Sequence, residues 1–91
     1  YGMGAGTLAV IITGKGKEIA ANISDKVKRG TTSLPASGGY TGTKKDVLLC
    51  ACSKAEAYLV RSAVEETDGE AFLMFTETSE VFGEGFKIRD K

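Results

Sequence analysis

Histidine and tryptophan are absent from this sequence, proline occurs once and cysteine twice. The missing histidine removes the commonest general base, the commonest metal ligand and the ready switch near neutral pH. Charge of one sign is missing too: twelve basic residues balance twelve acidic ones, scattered along the chain. That excludes a nucleic-acid-binding face, which must be basic to displace counterions from phosphates, and equally a polybasic membrane patch. No apolar run approaches the roughly 20 residues of a membrane span, and no secretory signal is visible. There is no Ser/His/Asp set, no Cys/His pair and no H-E-x-x-H motif. The acids Glu65, Glu66 and Asp68 sit at a helix end, where solvated charge is the default. The chain therefore points to a protein that is not an enzyme, with no cofactor and no metal.

The two cysteines lie one residue apart, in Val47-Leu48-Leu49-Cys50-Ala51-Cys52. In a strand both thiols point to one face. A C-x-C pair offers too few ligands for structural zinc, so both read first as small buried hydrophobes in a reducing compartment, with a metal or redox role as the alternative.

The 91 residues make one domain, 1–91. A domain this small buries only roughly 60–65% of its unfolded surface, so oligomerisation would help it. The chain opens Tyr1-Gly2-Met3-Gly4 with no initiating methionine, as a domain excised from a longer protein would.

Leu8–Thr13 is a β-branched, nearly all-apolar first strand. Ile19, Ile23 and Val27 then recur at a spacing of four within a helix expected over 18–29. Lys26, Lys28 and Arg29 suit its C-terminus, with Gly30 as the left-handed cap. Thr31–Leu34 is a short second strand beside the lone proline, Pro35, which suits a sheet edge. A glycine-rich loop follows, and Asp46–Cys52 is the third strand. Ser53 and Glu56 have the S-x-x-E spacing of a capping box, opening a helix that faces Leu59 and Ala63, with Val60 and Val64, inward and ends at Asp68-Gly69. Ala71–Thr76 is the fourth strand. Glycines punctuate the segment after it, which carries Val81, Phe82 and Phe86.

The order βαββαβ predicts an α+β, ferredoxin-like sandwich: a four-stranded antiparallel sheet with both helices on one face. A bare sheet face in water should alternate apolar with polar. Strands 1, 3 and 4 stay apolar at both parities, so something must cover the helix-free face, and a second copy of the domain is the natural cover.

Three blocks could hold a ligand. Gly38, Gly39, Tyr40, Thr41, Gly42 and Lys45 combine approachable backbone N–H groups, hydroxyls and charge suited to a phosphate or carboxylate, although no Walker spacing is present. Arg29, Thr31 and Thr32 offer a guanidinium and two hydroxyls. Glu84 and Gly85 present a carboxylate on a tight turn. Each block also has a plain structural reading, as loop, helix cap or terminal turn. If Arg29 binds ligand, Arg29→Ala is expected to weaken binding and spare the fold.

The runs I-I-T (Ile11–Thr13), R-G-T-T (Arg29–Thr32), G-G-Y-T-G (Gly38–Gly42), V-L-L-C (Val47–Cys50) and S-E-V-F-G-E-G-F (Ser79–Phe86) occur in order. Together they closely resemble the cytoplasmic C-terminal domain of YitT-type bacterial membrane proteins. That resemblance implies a core akin to the PII and CutA-like proteins, which trimerise through their sheets and bind small ligands, often nucleotides, between subunits near a mobile loop. It implies a regulatory domain at the cytoplasmic side of the bacterial cell membrane. Its partners would be the membrane-embedded part of the same protein, further copies of itself (three favoured) and a small anionic ligand or nucleotide. The alternative is an assembly domain that binds nothing.

Overall fold

Two strand–helix units, joined by a hairpin, make up the computed structural model, which describes residues 5–83. β1 is Gly6–Thr13, α1 Gly16–Val27, β2 Thr32–Ser37, β3 Lys44–Cys52, α2 Ala57–Thr67 and β4 Phe72–Thr78; a short 3₁₀ turn, Lys54–Glu56, leads into α2. The strands form one antiparallel sheet in the order β2-β3-β1-β4. This is the expected ferredoxin-like arrangement.

One sheet face carries the core. Ala9 and Ile11 of β1 stand opposite Cys50 and Leu48 of β3, and all four are buried beneath Ile19, Ile23 and Val27 of α1 and Val60, Ala63 and Val64 of α2. The α1 stripe is the one its spacing predicts. In α2 the stripe is rotated slightly: Val60 and Val64 are buried with Ala63, while Leu59 is only partly so. Asn22 of α1 ties the helices together, donating to the Ala63 carbonyl at 3.1 Å and to Thr67 Oγ1 at 3.1 Å.

Two helix boundaries show how local chemistry meets tertiary demand. The capping box is present: Glu56 N–H donates to Ser53 Oγ, and Ser53 N–H donates to Glu56 Oε1 at 2.9 Å. It caps the 3₁₀ turn ahead of α2. At the other boundary the sequence expectation is corrected. α1 stops at Val27, and its left-handed cap is Lys28 (φ 63°), not Gly30, with Lys28 N–H bonded to the Ile23 carbonyl at 3.2 Å. The early stop turns Arg29 inward, where only 5% of it is exposed.

Gly16 starts α1 because no side chain fits there: an added Cβ would lie 2.8 Å from Asp46 Cγ. β2 and β3 each run past their expected ends towards the loop between them, and Pro35 pairs with Asp46 on the outer strand of the sheet, where a missing N–H costs nothing. Beyond β4, Val81 packs over Gly6, whose Cα hydrogen faces the helix-free side.

Candidate functional site

β2 decides the geometry of the candidate site. Thr32 opens this strand and Ser37 closes it, five steps of about 3.3 Å, or roughly 17 Å. Arg29, Thr31 and Thr32 therefore sit at one end of the sheet, and Gly38 to Gly42 with Lys45 at the other. The fold does not bring these two blocks together within one chain. Glu84 and Gly85 lie outside the described residues.

At the first end, Arg29 Nε donates to Glu56 Oε1 at 2.9 Å, with 4% and 15% of the two side chains exposed. Burial alone would raise the Glu56 carboxyl, but the Ser53 backbone N–H and the Arg29 guanidinium outweigh it and hold the group below the usual carboxylate range. The guanidinium thus clamps the end of α1 to the cap of α2. Thr31 is half-buried and Thr32 exposed. Cys50 and Cys52 lie nearby, both buried and free. Burial first, and then the neighbouring Cys52 sulfur, pushes the Cys50 thiol up to about 12, so it is a core group and a poor nucleophile.

At the far end the glycine-rich segment closes a tight hairpin. Gly38 N–H donates to the Thr43 carbonyl at 2.8 Å, Gly42 N–H donates to the Gly38 carbonyl at 2.9 Å, and the Thr41 hydroxyl donates to Thr43 Oγ1 at 2.9 Å. Gly42 holds φ 76°, where glycine is favoured. Two glycine N–H groups that could cradle an anion are thus spent inside the loop. Tyr40 stands fully exposed at its tip, and Gly39, Thr41 and Lys45 are exposed as well. Beside the loop, Thr13 Oγ1 donates to Asp68 Oδ2 at 2.6 Å. That bond and the Glu70 N–H lower the Asp68 carboxyl.

The helix-free face is apolar across all four strands. One row, Leu34–Val47–Ile12–Phe72, crosses all four strands, and a second contains Leu49, Val10 and Met74. Leu34 is 45% exposed, Phe72 60% and Met74 43%. The apolar two-sidedness read from strands 1, 3 and 4 is real, and within the described chain this side stays open to water. Among the described residues no helix is long and apolar enough to cross a membrane, and no group of three or more His, Cys, Asp or Glu could hold a metal.

Comparison with known proteins joins this fold to a family. The family described as "Uncharacterized protein conserved in bacteria (DUF2179)" matches residues 29–83, more than half of the chain. The chain is a DUF2179 domain. It is 34% identical over 86 residues to the UPF0750 membrane protein YvjA of Bacillus subtilis, covering 94% of this chain but 31% of that protein. It is 35% identical over 75 residues to the UPF0750 membrane protein YitT of the same organism, covering 82% of this chain and 27% of that one. The DUF2179 domain thus spans about a third or less of these membrane-protein relatives, as the resemblance in its motifs implies for one domain of a longer chain. A crystal structure of a DUF2179 protein from Eubacterium ventriosum superposes with a TM-score of 0.65 at 31% identity, covering 78% of this chain and 97% of that one. A putative PII-like signalling protein from Thermus thermophilus shares the fold, with a TM-score of 0.63 at 16% identity over 82% of this chain and 89% of that one.

Sequence reasoning missed the Arg29–Glu56 clamp. Its one signal was a basic residue following a helix whose successor opens with a capping box. The partners are 27 positions apart, beyond the reach of any local rule.

Proposed function

We propose that this DUF2179 domain is a regulatory module at the cytoplasmic side of a bacterial membrane protein. It self-associates through its helix-free sheet face and binds a small anionic ligand, such as a nucleotide, between copies. The observation that carries the reading is the apolar row Leu34–Val47–Ile12–Phe72 with its exposed ends. A contiguous apolar face of this kind marks an interaction surface, and the PII-like fold supports a signalling role. Three copies are favoured by the resemblance read from the motifs. The roughly 17 Å between the Arg29–Thr32 block and the Gly38–Lys45 hairpin supports a ligand position between copies, because only a neighbouring copy could set the two blocks against one anion. In this reading the membrane-embedded part of the longer protein feels the ligand through the packing of its attached domains.

Light scattering on the 91-residue chain tests the assembly. A defined oligomer that Phe72→Glu reduces to a folded monomer is the expected result; a stable wild-type monomer would overturn it. Thermal melting against nucleotides and acidic metabolites tests the ligand. At 100 times its dissociation constant, a ligand adds about 2.7 kcal/mol to stability. An oligomer whose melting no metabolite moves would leave the assembly role standing without a sensor role.

A further inference from the structure

A second site opens on the helix side of the sheet, where β1 begins. Thr7 is 6% exposed there, and its hydroxyl has no hydrogen-bond partner among the described residues. Thr13, the other buried threonine of β1, lies at the strand's far end and is fully bonded. The Thr13 hydroxyl donates to Asp68 and accepts the Lys15 N–H at 2.9 Å. Every fully enclosed side-chain nitrogen or oxygen among the described residues has a partner, so the Thr7 hydroxyl opens onto the space beside it. That space is a groove of about 290 Å³ bounded by Thr7, Lys54, Ala57, Phe75, Thr76 and Glu77, just under the ligand-pocket range of about 300–1,000 Å³.

The groove has a definite chemical pattern. Phe75, 39% exposed on the outermost strand, and Ala57, at the start of α2, supply an apolar wall. Lys54 Nζ and Glu77 Oε2 face each other at 3.7 Å with 87% and 75% of their side chains exposed. A pair so solvated contributes almost nothing by itself, so a ligand can part it at little cost. A cation and an anion side by side, above an apolar wall and a buried hydroxyl without a partner, complement a molecule that carries both charges next to an apolar group.

We infer that this groove binds a small α-amino acid with an apolar side chain. Its carboxylate lies on Lys54, its ammonium on Glu77 and the Thr7 hydroxyl, and its side chain against Phe75 and Ala57. The site lies within one chain, so it stands or falls separately from the assembly through the opposite face.

The test is a titration of the isotopically labelled 91-residue chain with L-phenylalanine and with L-leucine, followed by amide chemical shifts. Saturable shifts centred on Thr7, Ala57, Phe75 and Glu77 are expected. N-acetyl-L-leucine, which lacks the ammonium, and isoamylamine, which lacks the carboxylate, should each bind roughly two- to fivefold more weakly, the effect of losing one solvent-exposed ion pair. Thr7→Val keeps the side chain's shape and should retain the melting temperature while weakening binding several-fold. Lys54→Ala, at a solvated position, gives a second variant whose folding is not at risk, and it should lose carboxylate discrimination. Absence of saturable shifts with either amino acid, shifts centred elsewhere, or both variants binding as the wild type does would overturn the inference.

Discussion

Arg29 and Glu56 form a nearly buried ion pair, Nε to Oε1 at 2.9 Å, that joins the end of α1 to the cap of α2. Glu56 also closes the capping box with Ser53. One carboxylate therefore serves two contacts that fix how the second strand–helix unit starts relative to the first.

Removing the cation should be costly. Arg29→Ala leaves a largely buried carboxylate facing an emptied space, and breaking such a pair costs about 3–5 kcal/mol. For a domain of this size the melting temperature should fall by more than roughly 10 °C, read by circular dichroism. The plain reading of the sequence, in which Arg29 meets ligand and its loss spares the fold, expects no such drop. A melting temperature close to that of the wild type, with ligand affinity lost, would favour the ligand role over the clamp.

The same pair sets an acid response. Glu56 in the folded chain holds its proton less tightly than an ordinary glutamate, because the Ser53 N–H and Arg29 outweigh its burial. Protonation therefore favours the unfolded chain. The contribution is complete above the unfolded value near 4.3 and is lost as the pH falls through the lowered folded value. Urea midpoints measured from about pH 7 down to about pH 3 should drop in the wild type. In Glu56→Gln the decline should be shallower from a lower starting point, the remainder arising from groups such as Asp68, which is lowered by its bonds to Thr13 and Glu70.

Gly14 and Gly16, on either side of Lys15, should behave differently. At Gly16 an added Cβ meets the Asp46 side chain, whereas at Gly14 it meets nothing within 4 Å. Gly16→Ala should destabilise by about 1–3 kcal/mol, the usual range for forced overpacking. Gly14→Ala should stay within about 0.5 kcal/mol of the wild type. Equal denaturation midpoints for the two variants would show that Asp46 yields without cost.

Thiol chemistry checks the core. Cys50 and Cys52 are both fully buried, and burial raises both thiols. A disulfide reagent at mildly alkaline pH should label neither cysteine in the folded chain at a rate above that of global opening, and should label both promptly in denaturant. Fast labelling under native conditions would mean that β3 leaves the sheet readily.

Features set by near neighbours along the chain were legible in the sequence. The Ile19–Ile23–Val27 stripe, the Ser53–Glu56 box and the strand parities each depend on residues only a few positions apart, and each is present as read. The α1 terminus was not legible in this way. Lys26, Lys28, Arg29 and Gly30 form a local stop at glycine, yet the helix ends at Val27 with Lys28 in the left-handed cap, and Arg29 turns inward to a tertiary partner. The candidate site was legible only in pieces. Its motifs are short and identifiable, but their separation follows from β2 being straight and extended between them. The groove at Thr7 left no trace in the motifs, because its threonine, lysine and glutamate come from three segments far apart in the chain.

By itself, then, the sequence determined the element order, the α+β class, the balanced charge, and an excess of apolar strand faces over helices able to cover them. Those follow from periodicity and composition, which are properties of the chain whatever its path. The tertiary structure alone decided that Arg29 faces Glu56, that the Arg29–Thr32 block and the hairpin lie at opposite ends of a strand, and that Thr7 keeps an unspent hydroxyl beside Lys54 and Glu77. Contacts between distant segments depend on strand register and helix docking, and both are fixed only when the whole core packs at once.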